Sequence, residues 1–297
     1  MPSARYSVIA AALAGVLALA SASSVQLMAG GLAVVQVVFA MGVIRSSGMH
    51  SARPAAWLGL AGGWTVLIWI ERSGTPELAP MVIVLGPAVL VAFVVQLLRK
   101  DGRPGLNSAL ALVVTSCVLT ALPAAWLAVR ATSEGAQIVG LALLGVGLAA
   151  LAEVLPISRA VRRVLGVLLA AVGAAVMGVL VDSVGDAVLP VSGVVIAAFA
   201  GVMAAVTFAI ADRLAGEAGP VDEPVLVAVP EDVTVPDLPA VGHGGETTAE
   251  PEAQVGAYSP AAAPARVVAA SIVPLRIAAP FVAAAPTAYV LGRLLVG

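Results

Sequence analysis

Of the 297 residues in this chain, 61% are hydrophobic and 11% charged, with a mean hydropathy of +1.06 and a formal net charge of −2. An ordinary soluble domain carries about a quarter charged residues, so a water-soluble globular fold is excluded. The apolar runs are continuous rather than alternating, which excludes a transmembrane β-barrel. Cys117 is the one cysteine, so neither an intramolecular disulfide nor a thiolate metal site can form.

A helix crossing about 30 Å of hydrocarbon needs about 20 residues. Nine segments approach that length, so the expected fold is an all-α polytopic membrane helix bundle with a cytoplasmic N-terminus. The first, Val8 to Ala22, is the shortest. Arg5 before it and Ala20 and Ala22 at its end also suit a cleavable signal peptide. A retained helix is favoured, because the second segment, Gln26 to Ile44, follows almost at once. Pro54 to Ile70 and Leu78 to Leu98 come next, the latter containing Pro87. The fifth, Asn107 to Val129, holds Thr115, Ser116, Thr120 and Pro123, and the sixth is Ala136 to Leu155.

Val164 to Val181 and Val188 to Ala211 form the seventh and eighth segments, and Ile277 to Val296 the ninth. In the seventh, Gly166, Ala170, Ala174 and Gly178 recur every four residues. In the eighth, Gly193, Ala197, Gly201, Ala205 and Ala209 do the same. Small residues at this spacing let helix backbones approach in lipid, and these two helices are expected to pack on one another.

Arg and Lys set the orientation, since positively charged short loops stay cytoplasmic. With the N-terminus inside, the cytoplasmic side holds Arg5, Arg45, Arg53, Arg99, Lys100, Arg103, Arg159, Arg162, Arg163, Arg213, Arg266 and Arg276. Only Arg72, Arg130 and Arg293 fall outside, a split of 12 to 3. Every cytoplasmic connection contributes, which supports the segment count. The expected location is an inner or plasma membrane, with membrane lipids as surroundings.

Residues Gly216 to Pro264 depart from this pattern, being rich in Pro, Glu, Asp, Ala and Gly and devoid of Lys and Arg. Such a stretch cannot bury enough apolar surface to offset its chain entropy and is expected to be a disordered cytoplasmic loop. It divides the chain into a bundle of about eight helices (1–215), the acidic loop (216–264) and a final helix (265–297). The loop is either a solvated spacer or a docking segment for a basic protein partner, with Thr247 and Thr248 as candidate phosphosites.

Ionisable groups at a membrane face are costly unless paired or hydrated. Glu153 closes the sixth segment and is followed by Arg159, Arg162 and Arg163; Asp212 and Arg213 close the eighth on the same side. The candidate site is therefore the cytoplasmic-face cluster Glu153, Arg162, Arg163 and Asp212. Two carboxylates and several guanidiniums there suit a phosphorylated head group or a Mg²⁺-nucleotide; alternatively they end helices and enforce topology. Asp182 and Asp186 suit a solvated turn or an outer cation site. Gln26, Gln36, Gln96, Thr115, Ser116 and Thr120 are expected to bond neighbouring helices. His50 and His243 lie in loops, away from any base-like setting. Phosphate-loop, zinc-helix and nucleophile-elbow motifs are missing, as is a basic, aromatic-interleaved surface for nucleic acid.

Pro156-Ile157-Ser158 with Arg162, Arg163 and Gly166, then Ala211-Asp212-Arg213-Leu214, then Gly242-His243-Gly244-Gly245, occur in that order. Pro274-Leu275-Arg276 and Ala285-Pro286 follow. Together with the helix layout over Leu78 to Leu214 and the final helix, this series resembles the phosphatidate cytidylyltransferase family, membrane enzymes that make CDP-diacylglycerol from CTP and phosphatidate with Mg²⁺. The resemblance implies a metal- and phosphate-binding mouth around Asp212. No Pro-Lys-Lys follows Ser158, no Lys-Asp pair precedes His243 and no Asp-Arg-Leu-Asp follows Gly245. Those departures remove most of the carboxylates that would hold the metal. The expected role is thus a divergent, non-catalytic relative in envelope lipid handling or scaffolding. The alternatives are a CTP- and Mg²⁺-dependent enzyme on an anionic lipid, with Glu153 and Asp212 on the metal, and a small-molecule transporter.

Overall fold

The computed structural model describes residues 2–47, 52–98, 106–181, 188–217 and 263–296. All regular structure among them is helical. In chain order the helices are α1 (Pro2–Ser23), α2 (Val25–Ser47), α3 (Ala52–Ser73), α4 (Ala79–Leu97), α5 (Leu106–Ala121), α6 (Ala124–Arg130), α7 (Gly135–Ala152), α8 (Arg159–Leu180), α9 (Pro190–Glu217) and α10 (Ala263–Leu295). The expected acidic loop falls largely on 218–262, outside the described residues.

Each of the nine expected apolar segments is largely helical, and among the described residues seven of them are long and apolar enough to cross a membrane, the α5–α6 pair counting as one span. Of the other two, α4 is apolar over a shorter run, Ala79–Val95, and α3 is tempered by Trp57, Trp64 and Trp69 on its outer face. Gly74, in the left-handed region at φ 61°, ends α3, and its N–H bonds Ile70 O at 2.9 Å.

Three expectations need correction. The fifth segment is not one helix: α5 stops at Ala121 and α6 starts at Ala124. Pro123 has no N–H, and the chain bridges the gap with tight bonds from Ala125 N to Leu122 O and from Trp126 N to Pro123 O. α8 begins at Arg159 rather than Val164, so Arg159, Arg162 and Arg163 belong to its first turns and not to a loop. α10 begins at Ala263, well before Ile277, and runs through Pro274, Pro280 and Pro286. Proline breaks such a helix less readily in a bundle, where neighbouring groups satisfy the freed carbonyls. Trp126 Nε1 donates to Phe281 O at 3.0 Å, one residue before the Val282 carbonyl that Pro286 leaves without its helical donor.

Packing centres on α7, which lies against α1, α8 and α9, and on α10, which lies against α9, α2 and α6. α3 joins α5, α2 and α4 into the remaining part. Lipid tails are as apolar as leucine, so close contact rather than hydrophobic burial holds such helices together. The small-residue series supply that contact. Gly166, Ala170 and Ala174 are the buried positions of α8. A Cβ placed on Gly201 of α9 would come within 3.0 Å of Ala170 Cβ, and Gly145 of α7 lies against the Ala197 backbone. The two series meet as expected, and both also close on α7. Gly178 faces open space and ends the seam.

Polar ties fix the end of the bundle away from the arginine-rich side. Arg130 Nε donates to Ser21 O at 2.7 Å, placing a cation at the C-terminus of α1, where the helix dipole favours it. Tyr289 Oη donates to Pro76 O at 3.1 Å, tying α10 to the α3–α4 connection.

A charged cluster shared by four helices

Three helix ends converge on the arginine-rich side, the C-termini of α7 and α9 and the N-terminus of α8, and α10 passes beside them at Arg276, well inside that helix. Glu153 is the C-cap of α7 and is 6% exposed. Arg162 donates through Nη1 to the Glu153 carbonyl oxygen at 3.1 Å, capping α7, while its Nε lies 3.5 Å from Oε2. Arg163 Nε lies 3.8 Å from Oε1. These separations are ion pairs but too long for hydrogen bonds. Glu153 Oε1 and the Nε atoms of Arg162, Arg163 and Arg276 accordingly have no hydrogen-bond partner among the described residues.

Asp212 faces the same centre from α9. Its Oδ2 accepts from Arg163 Nη2 at 2.9 Å and its Oδ1 from Arg276 Nη2 at 2.8 Å. Arg163 thus bridges the two carboxylates. A cation in the first turns of α8 and an anion at the end of α7 or α9 each oppose the helix dipole. Their mutual pairing offsets that cost and fixes the helix ends together.

All four residues of the sequence-derived cluster are brought together, and Arg276 joins them as a fifth. It stood among the positive cytoplasmic residues and in Pro274-Leu275-Arg276 but not in the candidate site. Its signal was an arginine one residue before an apolar segment. Arg213 and Arg159, their sequence neighbours, are exposed. Three guanidiniums face two carboxylates, leaving the cluster cationic.

Glu153 lies just beyond the apolar span of α7. Burial pushes its carboxyl above the usual carboxylate range, and Asp212 adds to this; Arg162, Arg163 and Arg276 pull the other way. Among the described residues no group of three or more His, Cys, Asp and Glu side chains gathers as a metal site. The two carboxylates here have a guanidinium between them, where a bridging cation would sit.

The other polar candidates do not share one site. Ser116, Thr120 and Gln36 are buried where α2, α3 and α5 meet, with Gly59 and Gly63 of α3 against Thr120. Thr120 Oγ1 donates back to Ser116 O and Cys117 O within its own helix. Thr115 is exposed, and Gln26 lines a shallow cavity with Glu71 between α2 and α3. Asp182, Asp186, His50, His243, residues 242–245 and the side chain of Gln96 lie outside what is described.

No family model matches this chain, and neither a curated protein nor a solved structure shows significant similarity to it.

Proposed function

We propose that this chain is a non-catalytic protein of an inner or plasma membrane that takes the phosphate of an anionic lipid at its cytoplasmic arginine cluster. It would act in lipid handling and share its layout with the phosphatidate cytidylyltransferases. The observation behind this reading is the Arg163 bridge. Both carboxylates that a Mg²⁺-dependent reaction would draw on are already met by guanidiniums. The excess positive charge remains at a face where the 12 to 3 distribution of Arg and Lys argues for the anionic cytoplasmic leaflet.

Guanidinium forks suit phosphate oxygens, and Arg162 and Arg163, with side chains 19% and 26% exposed, are reachable from the interface. The acidic stretch 216–264, which follows Asp212 and Arg213 in the sequence, is the candidate contact for a basic protein partner. The catalytic alternative is tested by supplying CTP, Mg²⁺ and phosphatidate to the purified protein in lipid nanodiscs. This reading expects no CDP-diacylglycerol; product that disappears in Asp212→Asn would overturn it.

A further inference from the structure

The two carboxylates of the arginine cluster are held differently. Asp212 accepts two hydrogen bonds, from Arg163 Nη2 at 2.9 Å and from Arg276 Nη2 at 2.8 Å. Glu153 has only the longer contacts to Arg162 Nε and Arg163 Nε, at 3.5 Å and 3.8 Å. Its Oε1 is buried and has no hydrogen-bond partner among the described residues. The Glu153 charge thus lies against the two guanidiniums proposed to take a lipid phosphate, without the bonds that would fasten it there. The groups facing it are Arg162 and Arg163 of α8, Asp212 of α9 and Arg276 of α10. Arg5 of α1, Arg159 of α8 and Arg213 of α9 are exposed, and Arg130 of α6 belongs to the opposite end of the bundle.

We propose that the cluster takes up a proton on Glu153 when it takes a lipid phosphate, so that the lipid and the proton strengthen each other's binding. The proposal rests on the phosphate-binding role proposed above. A guanidinium is a small planar fork, so a phosphate on the outer nitrogens of Arg162 or Arg163 comes within about 8 Å of the Glu153 carboxylate. The two anions then compete for the same cations in a partly buried setting, where screening is weak. Glu153, 6% exposed, has no open water to withdraw into. Protonation removes the competition and leaves the packing in place. It also makes the cluster more cationic, since three guanidiniums then face one carboxylate instead of two. Burial already raises the Glu153 carboxyl above the usual carboxylate range, which favours the neutral form. Coupling between two ligands is reciprocal, so a proton that aids the phosphate is itself held more tightly once the phosphate is bound. Affinity for the lipid is highest below the raised value of the lipid-free carboxyl. Above it, affinity falls by up to about tenfold per pH unit and levels off beyond the still higher value of the lipid-bound state.

The affinities of the purified full chain for phosphatidylglycerol and phosphatidylcholine in a nonionic detergent, compared from about pH 4 to pH 8, test this. The phosphodiester of phosphatidylglycerol keeps one negative charge across that range and adds no titration of its own. The wild type should lose about tenfold or more of its preference for phosphatidylglycerol as pH rises. Glu153→Gln, neutral throughout, should keep the low-pH preference at every pH, and Arg162→Gln/Arg163→Gln should show none. Calorimetry of phosphatidylglycerol binding in two buffers of different ionisation enthalpy should show net proton uptake by the wild type where its affinity is falling, a readout that needs no variant to fold. A wild-type preference that does not change with pH, a slope that survives in Glu153→Gln, or binding without proton uptake would overturn the proposal. Absence of any preference for phosphatidylglycerol at every pH, in the wild type and Glu153→Gln alike, would instead overturn the phosphate-binding role on which it rests.

Discussion

Asp212 is the residue on which the arginine-rich end of the bundle most depends. It holds α8 through Arg163 and α10 through Arg276, and Arg163 reaches on to Glu153 of α7. Removing one partner of a buried ion pair strands the other, but these side chains are 12% to 26% exposed. Asp212→Asn should therefore cost about 2 kcal/mol, below the figure for fully buried pairs. Thermal unfolding in detergent should show this loss, while Arg213→Gln, at an exposed neighbour, should leave the transition in place. Glu153 adds a pH dependence. Its carboxyl titrates above its unfolded value, so the native state holds the proton longer. That contribution to stability is fully present below the ordinary carboxylate pKa and is lost as pH rises through the raised native value. Unfolding midpoints measured across that window should fall with rising pH in the wild type, and Glu153→Gln should flatten the trend. Trp126→Phe, which deletes the bond to Phe281 O, should cost about 1 kcal/mol by the same measurement.

At the scale of elements, the glycine seam among α7, α8 and α9 sets how closely these helices approach. Gly201→Leu would drive a side chain into Ala170 and the Gly145 carbonyl, and overpacking of this kind costs about 1–3 kcal/mol. Gly178→Leu, facing open space, should be close to neutral when the two unfolding midpoints are compared. The seam was readable in the sequence because a four-residue repeat of small residues has a direct geometric meaning on a helix. The candidate cluster was readable for a similar reason, since Glu153, Arg162, Arg163 and Asp212 all fall where apolar runs stop on one side. Helix starts were less legible. Hydropathy marks where the lipid begins, not where the backbone begins to coil, so α8 and α10 extend past their apolar runs into charged or proline-containing sequence. Arg276 was missed as a site residue because nothing local distinguishes an arginine that turns inward from one that only marks a membrane face. Its partner lies 64 residues away in α9.

For the whole molecule, capture of an anionic lipid's phosphate requires the cluster to face the cytoplasm. Cys117 is fully buried, so single cysteines can be added to the native chain with little background reaction. Arg213→Cys should be modified by a membrane-impermeant thiol reagent only once the cytoplasmic side is opened, and Arg72→Cys from the outside of intact cells. The reverse pattern would invert the molecule and remove the cluster from the anionic leaflet. The most direct test of the central claim is the affinity of the purified chain for phosphatidate and for phosphatidylcholine, measured beside the Arg162→Gln/Arg163→Gln double variant. The net negative charge of the phosphatidate monoester, which the choline cation cancels in phosphatidylcholine, gives the wild type a preference for phosphatidate of about tenfold or more, and the double variant loses it. Equal affinities in the wild type, or a preference that survives the double substitution, would contradict the account.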